Sequence, residues 1–385
     1  MLTEATTPPL DLLLTGGTVV DPGQGLHAQK DVGLAQGRVV LVEDAIPRAR
    51  ARQVFDVSGL LVTPGLVDLH VHVYEGASHY GIDVDSTCLA TGATTVLDLG
   101  SAGAWTFSGF RRSVIDVAQT RVYALLNLST TGMVSPIVGE LEDIRNIDNA
   151  LSARVVRANR DVVKGIKLRM SRPLVGSNGA EALGLGRELC DELGVPLMIH
   201  PGNTEVSIDQ ILEHMVAGDV LTHAYHGNED GTLDENGKIR ASVRAAGDRG
   251  VLFDVGHGRG SFSWDVAERA IAQGFIANTI SSDLHVYNLH GPVFDLATTV
   301  MKFVHLGLSF DEALARATVH SARAMGVADE VGSLGPGMAA DVVAWEMQEG
   351  TFTFYDAGDV ERMARQRLEP KLIIKGGQVV CSTLG

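Results

Sequence analysis

Between residues 63 and 330, short β-branched and leucine-rich runs alternate with longer stretches of helical periodicity. That alternation predicts parallel strands joined by crossover helices. The runs are eight: 65–73, 94–99, 122–128, 163–170, 196–200, 220–223, 251–255 and 277–283. Eight strands over about 270 residues fit an α/β fold of the (β/α)8 TIM barrel kind, with its active site at the strands' C-terminal ends. The competing arrangement is an open doubly wound sheet. It gains no support, because no Gly-rich phosphate fingerprint follows the first run and Gly258-Arg259-Gly260 stands isolated.

The two chain ends carry a different pattern. "LLLTGGTVVD" at 12–21 and "KLIIKGGQVV" at 371–380 both read as apolar strand, Gly-Gly turn and β-branched strand. Further β runs lie at 31–42, 53–62, 340–346 and 351–355, and a helix is expected around 359–367. Residues 1–62 and 331–385 are therefore expected to meet as one small β-sandwich domain, interrupted by a barrel spanning 63–330.

Bulk composition narrows the setting. A hydrophobic content of 45% and a charged content of 20% are those of a soluble globular protein. No apolar run approaches the roughly 18 residues of a bilayer span. The start, MLTEATTPPLDLLLTGG, lacks a basic region and an apolar h-region, so a cytoplasmic location and no membrane partner are expected. A net charge of −16 counts against a nucleic-acid partner and leaves a small molecule as the expected one, with homo-oligomerisation open. Cys88, Cys190 and Cys381 are odd in number and far apart, which suits a reducing compartment and leaves any metal to N and O ligands.

The chemistry begins in "GLVDLHVHV". Strand alternation is expected to set Asp68, His70 and His72 on one face, with Leu69, Val71 and Val73 on the other. Burying three polar groups unpartnered would cost several kcal/mol each in rough terms, and two converging imidazoles are placed to bind a cation. A hydrogen-bonded histidine pair is the bland alternative. The other runs also close on unusual residues: Lys167, His200, His223 and Asp283. A protonated lysine would repel metal, but burial depresses its pKa. The neutral amine can then take up carbon dioxide as a carbamate whose two oxygens bridge two ions. Parity selects Lys167 over Lys164, because Lys164 shares the apolar face of Ile166, Leu168 and Met170. Serving only as a charge partner for a carboxylate is the alternative for Lys167.

The order His-X-His, Lys, His, His, Asp on successive strands resembles the amidohydrolase superfamily of binuclear metal hydrolases. The segments "VTPGLVDLHVHV", "GIKLRMS", "PLMIH", "LTHAYHG", "FDVGHGRGSF", "TISSDLH" and "GSLGPGMAADVV" are similar to its dihydroorotase-like deacetylase branch, over nearly the whole chain. The resemblance implies two divalent ions, zinc by ligand type, with manganese, iron and cobalt as alternatives. It places His70, His72 and Asp283 on the more buried ion, His200 and His223 on the exposed one, and carbamylated Lys167 between them. Two ions about 3.5 to 4 Å apart would hold a hydroxide at neutral pH, and Asp283 would be its general base and then the acid for the leaving group.

Substrate recognition is less legible. Dihydroorotases carry a carboxylate-gripping arginine two residues after His-X-His, and Tyr74 stands there instead. Arg169 is an alternative carboxylate binder or a structural ion pair. His226, His257, His285 and Asn288 fall in or after strand-end loops as candidate contacts, and Tyr74 is a candidate oxyanion donor. The leading expectation is a deacetylase acting on a carboxylate-bearing N-acyl or O-acyl compound. A cyclic amidase of dihydroorotase, hydantoinase or dihydropyrimidinase type is the alternative, followed by a mononuclear deaminase and a non-catalytic scaffold.

Overall fold

A computed structural model describes residues 9–384, so the first eight residues of the start that was read for a leader lie outside it. The chain opens with β1 (Leu10–Thr15), β2 (Thr18–Asp21), β3 (Leu26–Gln29), β4 (Asp31–Ala35), β5 (Arg38–Glu43), β6 (Ala51–Asp56) and β7 (Leu61–Pro64). The parallel strands follow as β8 (Leu66–Val71), β9 (Ala93–Gly103), β10 (Arg121–Asn127), β11 (Val163–Met170), β12 (Leu197–Pro201), β13 (Val220–Leu221) and β14 (Leu252–Phe253). The chain ends in β15 (Val342–Tyr355), β16 (Glu361–Lys375) and β17 (Gln378–Ser382).

Strands β8 to β14 form one parallel sheet in strict sequential order. A doubly wound sheet needs a point where that order reverses, and none exists here. The eighth expected run is not a regular strand. It is nonetheless bonded to both sheet edges, through parallel bridges Asp254–Thr279 and Val71–Leu284 and the hydrogen bonds Asn278 N to Phe253 O (2.7 Å) and Asp283 N to His70 O (2.8 Å). Val67, Leu97, Leu99, Tyr123, Leu125, Met198 and Val220 pack together from one set of alternate positions. The other set, including Ile166, Leu168 and Ile199, packs with residues of the crossover helices.

Two further sheets flank this one: a four-stranded sheet in the order β5-β4-β1-β6 and a six-stranded sheet in the order β17-β16-β15-β7-β2-β3. The six-stranded sheet therefore joins strands from both chain ends. Leu12, Leu14, Val32 and Leu34 from one sheet share an apolar core with Val19, Val62, Val342, Ala344 and Leu372 from the other. At Gly16, φ is +79° and a Cβ would lie 2.3 Å from Ser58 Oγ, so the first Gly-Gly turn needs its glycine.

The sequence reading fails at 359–367, where β16 stands in place of the expected helix. The stretch is rich in helix formers, but its partner decides: Phe352 pairs with Ala364 and Tyr355 with Glu361 in a long antiparallel hairpin. The runs expected at 340–346 and 351–355 are one strand, β15, whose pairing shifts register between Glu349 and Phe352. Among the described residues no helix is long and apolar enough to cross a membrane.

Candidate metal centre

The C-terminal ends of the parallel strands surround a cleft of about 400 Å³ whose lining includes His70, His72, Lys167, His200, His223 and Asp283. His70 and His72 reach it together although β8 does not alternate simply. Leu69 joins the same apolar cluster as Val67, whereas Val71 and Val73 join the helix-facing one. The β8–β9 pairing shifts register between Asp68 and Val71, and such a bulge re-aims the side chains that follow it. Asp68 is correspondingly not on the cleft lining with the histidines. It accepts hydrogen bonds from the Ser282 amide (3.0 Å) and hydroxyl.

The ligand-type atoms converge. Asp283 Oδ1 lies 3.3 Å from His70 Nε2 and 3.3 Å from His72 Nε2. His70, His223 and Asp283 each offer an atom within 4.8 Å of the others, and the His200 and His223 rings are 4.3 Å apart. Partners outside the cleft set the ring orientations. Thr222 Oγ1 donates to Asp254 Oδ2 (2.8 Å), so it accepts from His70 Nδ1 (3.0 Å). The Gly256 carbonyl can only accept, so His223 Nδ1 donates to it (2.6 Å). Ser101 Oγ lies 3.0 Å from His72 Nδ1. Both His70 and His223 thereby present a bare Nε2 lone pair, the outer-shell arrangement found around metal-binding histidines.

Burial keeps these imidazoles neutral. It holds His70, His72 and His200 well below the usual histidine range, reinforced by Lys167 at His70 and His72 and by His223 at His200. The same cause takes His223 down to about 3. Burial also lowers the Lys167 amine to about 7. Lys167 is 1% exposed, and its Nζ has no hydrogen-bond partner among the described residues. An orphaned buried amine facing four neutral imidazoles and a carboxylate fits a divalent-metal site with nitrogen and oxygen donors.

Two of the donors sit on strained backbone, His223 at φ 61° and Asp283 at φ 50°. Non-glycine residues hold that conformation at a cost of about 1–3 kcal/mol each, and functional sites are where it concentrates. Gly258 makes room for one of them: at φ +55°, a Cβ there would lie 2.3 Å from Asp283 Oδ2.

The expected substrate contacts divide. His285 and Arg169 line the cleft. Arg169 is already engaged with Glu140 in a buried ion pair, and its Nη2 also reaches Tyr80 Oη (3.3 Å). Tyr74 lies outside the cleft, its hydroxyl donating to Thr106 O (3.3 Å) and its ring 4.8 Å from that of Phe110, so it offers no oxyanion donor. Asn288 acts behind the lining, donating to Asp283 O (2.8 Å) and accepting from the His285 amide (2.9 Å). His257 is turned to Lys302, and His226 accepts from the Asn228 amide (3.2 Å); neither lines the cleft. Sequence reading missed Tyr80, Tyr287, Asn228, Arg259 and Ser261, which do. They sit on loops without periodicity. Arg259 alone carried a signal, a cation between glycines just after the seventh run.

The chain matches the amidohydrolase family over residues 61–380. A deacetylase of Agrobacterium fabrum is 33% identical over 99% of this chain and 94% of its own length. Among solved structures, an adenine deaminase is 33% identical with a TM-score of 0.89, covering 96% of this chain and 99% of its own. A dihydroorotase is 30% identical with a TM-score of 0.87, covering 96% and 99%. The chain belongs to the amidohydrolase family and is a metal-dependent hydrolase.

Proposed function

We propose that this member of the amidohydrolase family removes a small acyl group, acetyl foremost, from an amide or ester of a carboxylate-bearing compound at a binuclear centre. The observation that carries the reading is the buried, unpartnered Lys167 Nζ beside four imidazoles and Asp283 in one cleft. His70, His72 and Asp283 would hold one ion and His200 with His223 the other. Lys167, carbamylated by carbon dioxide, would bridge them, and zinc suits the donor set. Segment 277–284 would serve as eighth strand of a barrel spanning 63–330, with 1–62 and 331–385 as the second domain.

Bound divalent ions would supply polarisation of the scissile carbonyl and a lowered pKa for water. The chain's own residues do the rest. Asp283 takes the proton of the attacking water as the oxygen–carbon bond forms. It returns that proton to the departing amine or alcohol as the C–N or C–O bond breaks. Arg259 brings a guanidinium to the cleft lining, a positive charge that favours an anionic substrate. Tyr74, turned toward Thr106, leaves no cation at the position where a dihydroorotase needs one, which favours deacylation over ring opening.

Metal content per chain, on protein produced with zinc and bicarbonate, tests the centre alongside a Lys167→Ala variant. Two ions falling to one or none in the variant is the expected result. One ion in both overturns the bridge and points to deaminase chemistry, whereas none in either points to a scaffold. Turnover of acetylated amides and esters against cyclic amides and adenine then tests the reaction class.

A further inference from the structure

We infer that Arg259 receives the substrate carboxylate and that the β15–β16 hairpin tip, residues 356–360, sets its aim. This rests on the deacylase reading above and names a specificity residue for it. Two guanidinium groups line the cleft, and they differ in how they are committed. Arg169 is 11% exposed against a Glu140 side chain at 5%, and Glu140 also accepts from Asn127 Nδ2 (3.0 Å). Drawing Arg169 away would strand a buried carboxylate.

Arg259 is held loosely by comparison. Its Nη2 meets Asp359 Oδ2 at 2.8 Å, with side-chain exposures of 43% and 63%. Exposed pairs of this kind contribute little and exchange readily. The other nitrogen, Nη1, donates to the Ala357 carbonyl (2.9 Å), and Nε has no partner among the described residues. A carboxylate that displaces Asp359 would therefore find the Nε–Nη2 edge, two parallel donors that match its two oxygens.

The backbone on both sides is fixed, so the guanidinium is aimed. On the barrel side, His257 N donates to Ser281 O (3.2 Å) and Gly258 N to Ser282 O (3.0 Å). This seats Arg259 one residue from the glycine that abuts Asp283. On the hairpin side, Ala357 N donates to Phe262 O (2.9 Å) and Trp264 Nε1 to Val360 O (2.8 Å). Asp356 Oδ2 accepts from Trp264 N (3.2 Å). The Ala357 carbonyl is thus a rigid acceptor, delivered to the cleft rim by a hairpin whose strands belong to the sheet built from both chain ends.

Calorimetric titration of the metal-loaded enzyme with 2-methyl-4-oxopentanoate, which replaces the N–H of N-acetylalanine by CH2 and so has no scissile C–N bond, and with its methyl ester tests the assignment. Wild type is expected to bind the acid about 10- to 100-fold more tightly than the ester. Arg259→Gln is expected to erase that preference and Arg259→Lys to keep part of it. Asp359→Asn is expected to strengthen acid binding several-fold with the ester unchanged. A preference that persists in Arg259→Gln overturns the inference, since Arg169 or the ions would then hold the carboxylate. Equal binding of acid and ester by wild type, or binding of neither, overturns it too. An Arg259-dependent preference in an enzyme that releases no acetate from acylated substrates would sink the deacylase reading and leave this assignment standing.

Discussion

Lys302 Nζ lies 2.7 Å from His257 Nε2, both side chains fully buried, and also donates to the carbonyls of Pro292 and Tyr355, each at 2.8 Å. The Gly258 carbonyl can only accept, so His257 Nδ1 donates to it (2.9 Å) and Nε2 of the neutral ring accepts from Lys302. One amine thereby ties the loop after β14 to the segment beyond Asp283 and to the end of β15. His257 is a fixture behind the cleft lining rather than a contact for substrate.

Replacing Lys302 with Met keeps the packing volume and strands three acceptors, two of them in fully buried hydrogen bonds. At about 1–3 kcal/mol for each unsatisfied group, offset by local relaxation, a stability loss of about 3 kcal/mol is expected. Denaturant unfolding of the metal-loaded protein measures it, and a loss below about 1 kcal/mol would show that the tie is dispensable.

Thr222→Val removes the hydroxyl between His70 and Asp254 without changing shape. Asp254 retains Thr279 and Ser281, at 2.7 Å each, whereas His70 Nδ1 loses its acceptor. Metal affinity is expected to fall about 10- to 100-fold, as for other outer-shell partners of ligating histidines. Competition with a chelator reads this directly, and unchanged affinity would mean that ring orientation does not depend on Thr222.

Asp283→Asn keeps the shape of the side chain and removes the proton acceptor. A kcat loss on the order of 10³-fold or more is expected, with metal content assayed in parallel so that lost chemistry is separated from lost ligation. Activity within about tenfold of wild type at full metal content would take Asp283 out of the proton transfer.

Lys167 makes pH dependence testable. Free lysine keeps its proton up to 10.5, while burial brings Lys167 to about 7. Carbamate formation needs the neutral amine, so at fixed dissolved carbon dioxide its extent should rise as pH increases through about 7. Isotope-labelled bicarbonate and nuclear magnetic resonance detect it. The unfolded chain binds the proton and the folded apoprotein does not between those two pH values, so apoprotein stability should increase with pH across that window. Lys167→Ala should show a smaller increase, because buried Lys302, also lowered to about 7, still contributes, and identical pH–stability curves for the two proteins would refute the depressed Lys167 pKa.

Much of the site was legible from periodicity, because strands of parallel sheets announce themselves locally and their last residues share one end of the sheet. His70, His72, Lys167, His200, His223 and Asp283 were each found that way, and all line the cleft. The same local reading erred on Asp68, since the register shift in β8 is a property of its pairing with β9. It erred again at 359–367, where helix-forming composition yielded to the antiparallel partner β15.

What the sequence alone determined was the order of strands and the identity of the donors at their ends, because both follow from short-range alternation and side-chain chemistry. The tertiary structure decided which charged groups remain available. Arg169 is neutralised by Glu140, 29 positions earlier in the chain, and Arg259 is positioned by Ala357 and Asp359, 98 and 100 positions later. Tyr74, beside the His-X-His motif in sequence, turns to Thr106, 32 positions away. Such pairings arise where crossovers and a distant hairpin bring loops together, and no local periodicity encodes them.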